Sequence, residues 1–342
     1  MNLEPVILAI ESSCDETSAA VLIGRKVLSN IIAGQTVHEK YGGVVPELAS
    51  RAHQSNIVPV VHQALTEANL KLPDIDAIAY TRGPGLLGSL MVGSSFAKSL
   101  SMTLGTPIIG VNHMQAHILA HFIEGQKHGK TPSFPLLCLT VSGGHTQIVL
   151  VRSPSDMKIV GETIDDAAGE AFDKAAKVLG LPYPGGPLVD RHSKDGDSMK
   201  YKFTTPRLEG LDYSFSGLKT SLLYFLRDNS KDETFVQQEL ANICASYQRT
   251  LVDYLLIQLE KAAKQQGIAE LCIAGGVSAN SELRSKFLKM CDNNGWKGYI
   301  PDFTYCTDNA GMIGIAAYFK YLNQDFSELS DSPMARIDWG RL

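Results

Sequence analysis

Long apolar segments, a basic leader and paired cysteines are all missing from this sequence. No apolar run reaches the roughly 18 residues that a membrane-spanning helix requires. The first ten residues are acidic at Glu4 and lack the basic region with which a signal peptide begins. We therefore expect a cytoplasmic protein without a membrane partner.

Cysteines are few, and none belongs to a C-x-x-C pair. The absence of such a pair argues against a zinc ribbon and against a dithiol redox site. Several of the six stand in apolar runs, so we expect reduced thiols that pack as small hydrophobic groups. The six are Cys14, Cys138, Cys244, Cys272, Cys291 and Cys306.

Positive charge is also in short supply. The chain has 31 lysines and arginines against 36 aspartates and glutamates, which gives a net charge of −5. Because binding to nucleic-acid phosphates depends on clustered positive charge, this balance weighs against a free-standing nucleic-acid binder. The length of 342 residues, 44% of them hydrophobic, predicts a globular protein of two domains or lobes.

Apolar strand-like runs alternate with helical patterns, which is typical of an α/β protein. The predicted strands are 6–10, 77–81, 107–111, 136–141 and 270–274. The predicted helices are 46–70, 86–104, 236–265, 281–293 and 309–322. The polar segment 195–212 is predicted to be a surface loop.

One pattern occurs twice. Residues 7–22 and 137–150 each contain an apolar strand, a turn of small and polar residues, and a second apolar strand. The repeat predicts two related lobes, one formed by 1–115 with 309–342 and the other by 116–308.

The turns of these hairpins consist of residues that let backbone N–H groups approach a phosphate, although tight hairpins alone would need the same residues. A third element follows, a strand that ends in Gly275 and Gly276 before a helix that begins near Asn280 or Ser281. This order resembles the actin-like, sugar-kinase and Hsp70 ATPase fold, whose two lobes enclose a nucleotide cleft.

Two histidines stand four residues apart in a stretch that follows a strand and opens a helix. His113 and His117 would share one helix face and could bind a metal together, although solvated histidines on an amphipathic helix give the same spacing. A zinc protease needs glutamate after the first histidine, and Met114 stands there. Asp308 precedes the last helix and is either a third ligand or the helix N-cap.

An acidic cluster and a glycine loop follow in the second half. Asp166 is a candidate helix cap, and Asp173 stands where it could pair with Lys177 on a helix surface. The stretch 183–187, Tyr-Pro-Gly-Gly-Pro, is predicted to be a stiff loop that suits close approach to a ligand ring or ribose. Asp173 and Asp190 are then candidate acceptors for ligand hydroxyl groups.

Taken in order, these motifs resemble the bacterial tRNA N6-adenosine threonylcarbamoyltransferase family, TsaD, formerly described as O-sialoglycoprotein endopeptidase. The resemblance extends from Ile10 to about Ile315. The motifs that carry it are 42–51 (GGVVPELASR), 83–86 (GPGL), 113–117 (HMQAH), 141–146 (VSGGHT), 165–174, 183–187, 215–220 (FSGLKT) and 275–280.

The resemblance implies transfer of a threonylcarbamoyl group from threonylcarbamoyl-adenylate to N6 of the adenosine 3′ of the tRNA anticodon. It implies one divalent metal, expected to be iron (Fe²⁺) with zinc as the alternative, held by His113, His117 and Asp308. The implied substrate-binding residues are Thr140, Val141, Ser142, Gly143, Gly144, Asp173, Gly186, Asp190 and Asn280.

The chain departs from the family pattern near the metal. Asn112, Gln115 and Ala116 differ from bacterial relatives, and Thr140 stands where archaeal and eukaryotic relatives tend to have a tyrosine. Two glutamates at the first hairpin, Glu11 and Glu16, are candidate catalytic residues that would receive the amine proton, on position alone.

The resemblance further implies tRNA, a paralogous actin-like subunit (TsaB) and a small ATPase (TsaE) as partners. Local contact with tRNA through Arg51, Arg82, Lys219 and the loop 194–207, or through a partner, would reconcile the negative charge with this substrate. Helix 86–104 is the candidate partner face, with plain core packing as the alternative. A small-molecule kinase or a nucleotide-dependent scaffold ATPase with the same fold stays open.

Overall fold

The computed structural model describes residues 4–127, 130–206, 208–229 and 232–337. Contacts divide the chain into two compact units. Unit 1 comprises Met1–Pro132, Arg152–Met157 and Pro301–Leu342, and unit 2 comprises Ser133–Val151 and Lys158–Ile300. The predicted lobes differ in where 116–132, 152–157 and 301–308 belong, and their boundaries stay a prediction.

Strands and helices alternate through most of the chain. The strands are Val6–Glu11 (β1), Thr17–Ile23 (β2), Lys26–Ala33 (β3), Ala77–Gly83 (β4), Ile108–Asn112 (β5), Leu136–Val141 (β6), Thr146–Ser153 (β7), Asp156–Glu162 (β8), Glu270–Ala274 (β9) and Lys297–Tyr299 (β10). The α-helices are Pro46–Glu67 (α1), Leu87–Leu104 (α2), His113–Leu119 (α3), Ala168–Val178 (α4), Gly185–Ser193 (α5), Ser216–Asp228 (α6), Phe235–Gln266 (α7), Ser281–Asn294 (α8) and Ala310–Leu322 (α9). Short 3-10 helices lie at Thr36–Tyr41, Leu72–Asp74, Ala120–Phe122, Gly276–Ala279 and Phe303–Tyr305.

The sheet of unit 1 has the order β3-β2-β1-β4-β5, and β1 pairs antiparallel with β2 and parallel with β4. Successive side chains of a strand point to opposite faces of the sheet. Leu8 and Ile10 of β1 accordingly pack in one buried cluster with Ile57 of α1 and Ala97 of α2. Helix α9 packs on the same strands, where a Cβ at Gly314 would lie 2.1 Å from Leu22.

The sheet of unit 2 has the order β10-β9-β6-β7-β8, and β6 pairs antiparallel with β7 and parallel with β9. All six residues of β6 are buried, which is why the strand reads as a continuous apolar run. The core of this unit joins the sheet to Phe172 of α4, Tyr247 and Leu251 of α7, and Phe287 of α8.

Both sheets place their strands in the same relative order, with an antiparallel hairpin followed by two strands parallel to its first member. The repeated hairpins predicted from the sequence are therefore confirmed. In each unit a glycine that follows the strand parallel to the hairpin, β4 in unit 1 and β9 in unit 2, lies close to the backbone where the hairpin turns. A Cβ at Gly85 would lie 2.5 Å from the Ser13 oxygen, and one at Gly275 would lie 2.5 Å from the Val141 oxygen.

Two local predictions were wrong. Residues 183–187 do not form a loop throughout, because Gly185 begins α5 and Pro187 lies in the first turn, where a missing N–H costs little. Asp166 does not cap α4. The N-cap position is Ala167, and the backbone N–H of Ala168 donates to Oγ1 of Thr146 instead.

Among the residues that the structure describes, no helix is both long and apolar enough to cross a membrane.

Candidate metal centre and glycine turn

The two histidines of unit 1 project from a short helix that begins where β5 ends. The side chain of Asn112 accepts hydrogen bonds from the backbone N–H groups of Met114 and Gln115, at 2.9 and 3.2 Å. Asn112 thus caps α3 and fixes its first turn. One turn separates His113 from His117, and their rings meet edge to face with centroids 4.8 Å apart.

Asp308 meets both rings at a single oxygen. Its Oδ1 lies 3.2 Å from Nε2 of His113 and 3.1 Å from Nε2 of His117. Asp308 is not the cap of α9, because the side chain of Asn309 accepts from the Met312 N–H. The alternative interpretation of Asp308 as an N-cap was therefore wrong.

Glu11 holds the other side of the His113 ring. The glutamate is completely buried, and its Oε2 lies 3.1 Å from His113 Nδ1. The Ser13 N–H donates to Oε1, and the Thr81 hydroxyl donates to Oε2. Ser13 Oγ also lies 3.2 Å from His113 Nδ1. A carboxylate on the far nitrogen of a histidine is a common support of metal ligands, because it fixes the ring and its tautomer.

The negative carboxylates of Asp308 and Glu11 and the imidazole of His113 shift one another's pKa values. Burial alone would raise the pKa of Asp308 and of Glu11, but the charge and hydrogen bonds of His113 outweigh it and hold both pKa values below their ordinary range. Burial would lower the pKa of His113, yet Asp308 and Glu11 raise it well above its usual value. Unit 1 therefore places the buried carboxylate of Glu11 and the half-buried carboxylate of Asp308 on two sides of His113, where a positive charge is stabilised.

Glu16 and Cys14 lie under the influence of the same carboxylates. Burial, followed by the charge of Asp308, raises the pKa of Glu16 to about 9. Burial, with Asp15 and Asp308, raises the pKa of the Cys14 thiol. The first hairpin thus brings a second glutamate near the acidic group that contacts both histidines.

The residues present fit a divalent metal. One ligand atom from each of His113, His117 and Asp308 lies within 4.8 Å of the others. Two ligand atoms that each lie about 2.1 Å from one metal ion, with an angle at the metal between 90° and the tetrahedral value, are roughly 3.0–3.4 Å apart. The distances from Asp308 Oδ1 to Nε2 of His113 and of His117 fall in this range. Two imidazoles and a carboxylate suit iron or zinc better than calcium or magnesium.

In unit 2 the turn between β6 and β7 is bare. The Ser142 N–H donates to the His145 oxygen at 2.8 Å, and the His145 N–H donates to Ser142 Oγ at 3.1 Å. Gly143 and Gly144 between them are exposed, and a Cβ on either would meet no atom within 4 Å. Thr140 and Val141 are buried in the strand that leads to this turn. The turn therefore presents accessible backbone of the kind that binds anions.

The start of α4 packs directly on this turn. The Gly169 N–H donates to the Ser142 oxygen at 3.2 Å, and a Cβ at Gly169 would lie 2.5 Å from that oxygen. Further along α4, Asp173 Oδ1 accepts from the N–H groups of Gly185 and Gly186, at 2.8 and 3.2 Å. Burial raises the pKa of Asp173 above its ordinary value, although these two hydrogen bonds act in the opposite direction. Asp173 therefore organises the start of α5.

Asp190 and Asn280 meet in a polar network that includes a residue missed by sequence reasoning. Nε2 of Gln248 lies 3.2 Å from Asp190 Oδ1, and Oε1 of Gln248 accepts from Asn280 at 2.7 Å. Asp190 also accepts from the hydroxyl of Ser281, and Asn280 caps α8 through the Leu283 N–H, at the place where the sequence predicted that a helix begins. Gln248 lies inside α7, where the sequence shows only a helical pattern.

The structure brings the sequence-predicted residues together in two groups. Unit 1 holds the metal candidates with Glu11 and Glu16, and unit 2 holds the candidates for substrate binding. Of the predicted tRNA contacts, Arg82 forms an ion pair with Asp331 at 3.2 Å and Arg51 one with Glu47 at 2.9 Å. Arg207, at the end of the predicted loop, lies outside the described residues.

Comparison with known proteins identifies the family. The family model described as TsaD, tRNA N6-adenosine threonylcarbamoyltransferase, matches residues 26–315. The chain belongs to this family. A protein named tRNA N6-adenosine threonylcarbamoyltransferase from Christiangramia forsetii is 60% identical over 331 residues, which cover 96% of this chain and 97% of the relative. Membership of the TsaD family makes the protein an acyltransferase that modifies tRNA.

Solved structures support the predicted fold. The full-length HypF protein, in a phosphate- and nucleotide-bound form, has a TM-score of 0.62 at 14% identity and covers 94% of this chain and 47% of its own. The activator of 2-hydroxyisocaproyl-CoA dehydratase from Clostridium difficile, with bound ADPNP, has a TM-score of 0.51 at 12% identity, covering 95% and 99%. The predicted α/β class of actin-like type is confirmed.

Proposed function

We propose that this TsaD-family protein transfers the threonylcarbamoyl group from threonylcarbamoyl-adenylate to N6 of the adenosine 3′ of the anticodon, position 37, and releases AMP. The tRNAs would be those that read codons beginning with adenine. The observation that carries the proposal is the convergence of His113, His117 and Asp308, backed by Glu11, in a chain of this family.

The chemistry assigns the protein a task of positioning. The exocyclic amine of adenine is a poor nucleophile, because its lone pair is delocalised into the ring. A mixed anhydride with AMP supplies an activated acyl group and a good leaving group. The enzyme then has to align amine and acyl carbon and stabilise the charge that develops on oxygen.

Unit 2 has the features that an adenylate needs. The exposed backbone of Gly143 and Gly144 would receive phosphate or carbamoyl oxygens, supported by the buried strand end at Thr140, Val141 and Ser142. Both structural relatives above were solved with a bound nucleotide, which is compatible with nucleotide binding by a protein of this fold.

The AMP part would contact residues at the starts of α5 and α8. Asp173 orients the N–H groups at Gly185 and Gly186, and the remaining hydrogen-bonding capacity of Asp190 and Asn280 would serve ribose hydroxyl groups. Gln248 links the last two side chains, so it would keep them in one arrangement.

Unit 1 would hold iron (Fe²⁺), with zinc as the alternative, through His113, His117 and Asp308. Such an ion supplies Lewis-acid stabilisation of a developing negative charge on oxygen. Glu11 keeps the His113 ring in place through Nδ1. Both oxygens of Glu11 already accept hydrogen bonds from protein groups, and the raised pKa of Glu16 favours its protonated form, which donates a hydrogen bond but does not receive a proton. Both glutamates therefore stay catalytic candidates by position alone.

The family resemblance also leads us to propose a cytoplasmic assembly with tRNA, a paralogous actin-like subunit (TsaB) and a small ATPase (TsaE). Helix α2 supports the subunit contact. Leu87, Met91 and Met102 are half or more exposed along this helix, on turns of the same face. An exposed apolar face of this kind suits a partner with an apolar surface better than it suits tRNA.

The proposal is tested by reconstitution with threonine, bicarbonate, ATP, the partner proteins and unmodified tRNA, followed by mass spectrometry of the nucleosides. We expect threonylcarbamoyladenosine to form only when this chain is present. When the adenylate-forming enzyme is left out, we expect the product to form only if synthetic threonylcarbamoyl-adenylate is added. A product that forms equally without this chain would refute the proposal. ATP-dependent phosphorylation of a small molecule without tRNA product would favour the kinase alternative.

A further inference from the structure

A buried histidine outside the metal centre joins helix α1 to the turn between β1 and β2. His53 has no exposed surface. Its Nε2 lies 2.9 Å from the backbone oxygen of Cys14, and its Nδ1 lies 2.8 Å from Oγ1 of Thr17. These two contacts bracket Asp15 and Glu16 in the sequence.

The partners of His53 define its protonation. A carbonyl oxygen only accepts hydrogen bonds, so Nε2 carries the hydrogen and donates it to Cys14. With a neutral ring, Nδ1 then accepts the hydroxyl hydrogen of Thr17. Burial lowers the pKa of His53, which agrees with a neutral ring. Both ring nitrogens therefore hold this turn, Nε2 at the backbone of Cys14 and Nδ1 at the side chain of Thr17.

The same turn is held from α2. The Ser89 hydroxyl donates to the Cys14 oxygen at 3.2 Å, and the Ser12 hydroxyl donates to the Ser89 oxygen at 3.0 Å. The Leu86 N–H donates to the Ser13 oxygen at 2.7 Å. Hydrogen bonds thus hold each residue from Ser12 to Cys14, and among these bonds His53 provides the one that comes from α1.

We propose that His53 is a positioning residue for the acyl transfer, which holds the Cys14 to Thr17 backbone so that Glu16 keeps its place beside the acidic metal centre. The inference rests on the proposed function, because it concerns the rate of that reaction. The two hydrogen bonds of His53 reach Cys14 and Thr17, which are neither metal candidates nor groups assigned to substrate. Its effect is transmitted through the backbone that carries Glu16.

Four variants test the role in the reconstituted transfer assay. His53→Leu removes both hydrogen bonds, His53→Gln keeps a donor for Cys14 and an acceptor for Thr17, and Thr17→Val removes a single bond. The matched control is His38→Leu. His38 is also buried, but it bonds Oε1 of Gln35 and the Val45 N–H rather than the turn.

We expect His53→Leu to lower kcat roughly 10- to 100-fold, the scale on which small misplacements of reacting groups act. The KM for tRNA and the metal content are expected to stay close to wild type, and the thermal transition should stay cooperative with a lowered midpoint, because the buried Thr17 hydroxyl loses its partner. His53→Gln should recover most of the loss, and Thr17→Val should lower kcat about 3- to 10-fold, since one of the two bonds remains. His38→Leu should retain the wild-type kcat.

A kcat within about twofold of wild type for His53→Leu would overturn the inference, as would an equal loss in His38→Leu. If His53→Leu does not fold, Thr17→Val decides, and a wild-type kcat in that variant would overturn it. Wild-type protein that makes no threonylcarbamoyladenosine refutes the proposed function instead. Active wild type with unaltered variants refutes the role of His53 alone.

Discussion

The turn between β1 and β2 and the turn between β6 and β7 occupy the same place in two sheets of equal strand order. The first turn is acidic and lies between buried and half-buried residues, with Glu11 and Glu16 near its ends. The second turn is exposed and has Gly143 and Gly144 at its centre. One scaffold thus presents side-chain charge in unit 1 and bare backbone in unit 2.

This difference between acidic side chains and exposed backbone indicates which charge of ligand each turn suits. Poorly solvated carboxylates repel one another unless a cation or proton lies among them, so the acidic surroundings of the first turn suit a cation. Exposed glycines offer N–H dipoles without side chains, so the second turn suits an anion. In both units a glycine after the next parallel strand allows the backbone to close on the turn.

The largest effect is expected from removing a candidate metal ligand of unit 1, because this change should leave the glycine turn of unit 2 intact. His113→Ala should abolish metal binding and lower transfer roughly 1000-fold or more, because a ligand is lost together with the group that Glu11 holds. Binding of an adenylate analogue to unit 2 residues should persist. Metal analysis, nucleoside mass spectrometry and calorimetry measure the three quantities. Full transfer by metal-free His113→Ala would remove the metal from the reaction.

A smaller effect is expected one contact further out. Glu11→Gln replaces a charged acceptor on His113 Nδ1 by a neutral amide, so metal affinity should fall about 10- to 100-fold. The measurement is a competition titration with a chelator. Glu47→Gln, on the exposed surface of α1, is the control and should leave the affinity unchanged. Equal affinities for Glu11→Gln and wild type would show that Glu11 does not support the ligand.

Two alanine variants compare the packed and the open side of the glycine turn. Gly169→Ala places a Cβ 2.5 Å from the Ser142 oxygen, so it should lower the unfolding temperature by several degrees and weaken donor binding together. Gly143→Ala meets no protein atom and should leave the unfolding temperature unchanged. Its KM for threonylcarbamoyl-adenylate should still rise about 10-fold, because the added methyl group blocks ligand approach. An unchanged KM would exclude contact at Gly143.

The smallest effect concerns the network behind Asp190 and Asn280. Gln248→Met removes the amide while keeping the volume, so two polar groups lose a buried partner at a cost of about 1–3 kcal/mol in the free energy of unfolding. The KM for the adenylate should rise severalfold with little change in kcat. Denaturant unfolding and initial rates provide both values. A change in kcat alone would contradict a role confined to binding.

Much of the fold follows from local patterns. The strand predicted at 136–141 has the observed bounds of β6, and the helix predicted at 281–293 ends one residue before α8 does. Continuous apolar runs and helical patterns carry these predictions because their signals lie within a few residues. Helix α5 was missed because glycines and prolines usually indicate loops, whereas Asp173 and Ala176 of a neighbouring helix stabilise this one.

The metal candidates could be named from the sequence only through the family resemblance and the spacing of two histidines. Their supports could not be predicted. Thr81 bonds Glu11 across 70 residues, and Thr146 caps a helix that begins 22 residues later. Such partners leave no periodic signal, since a single threonine or glutamine in a strand or helix is compatible with many surroundings.

The sequence by itself determined the α/β class, the repeated hairpins and the residue types available at each turn, because hydrophobic period and glycine content act locally. Only the tertiary structure decided which groups share a charge or a hydrogen bond. Asp308 lies 191 residues after His117, yet one of its oxygens contacts both histidines. A metal centre needs atoms brought within a few ångströms from distant segments, and packing alone specifies that approach.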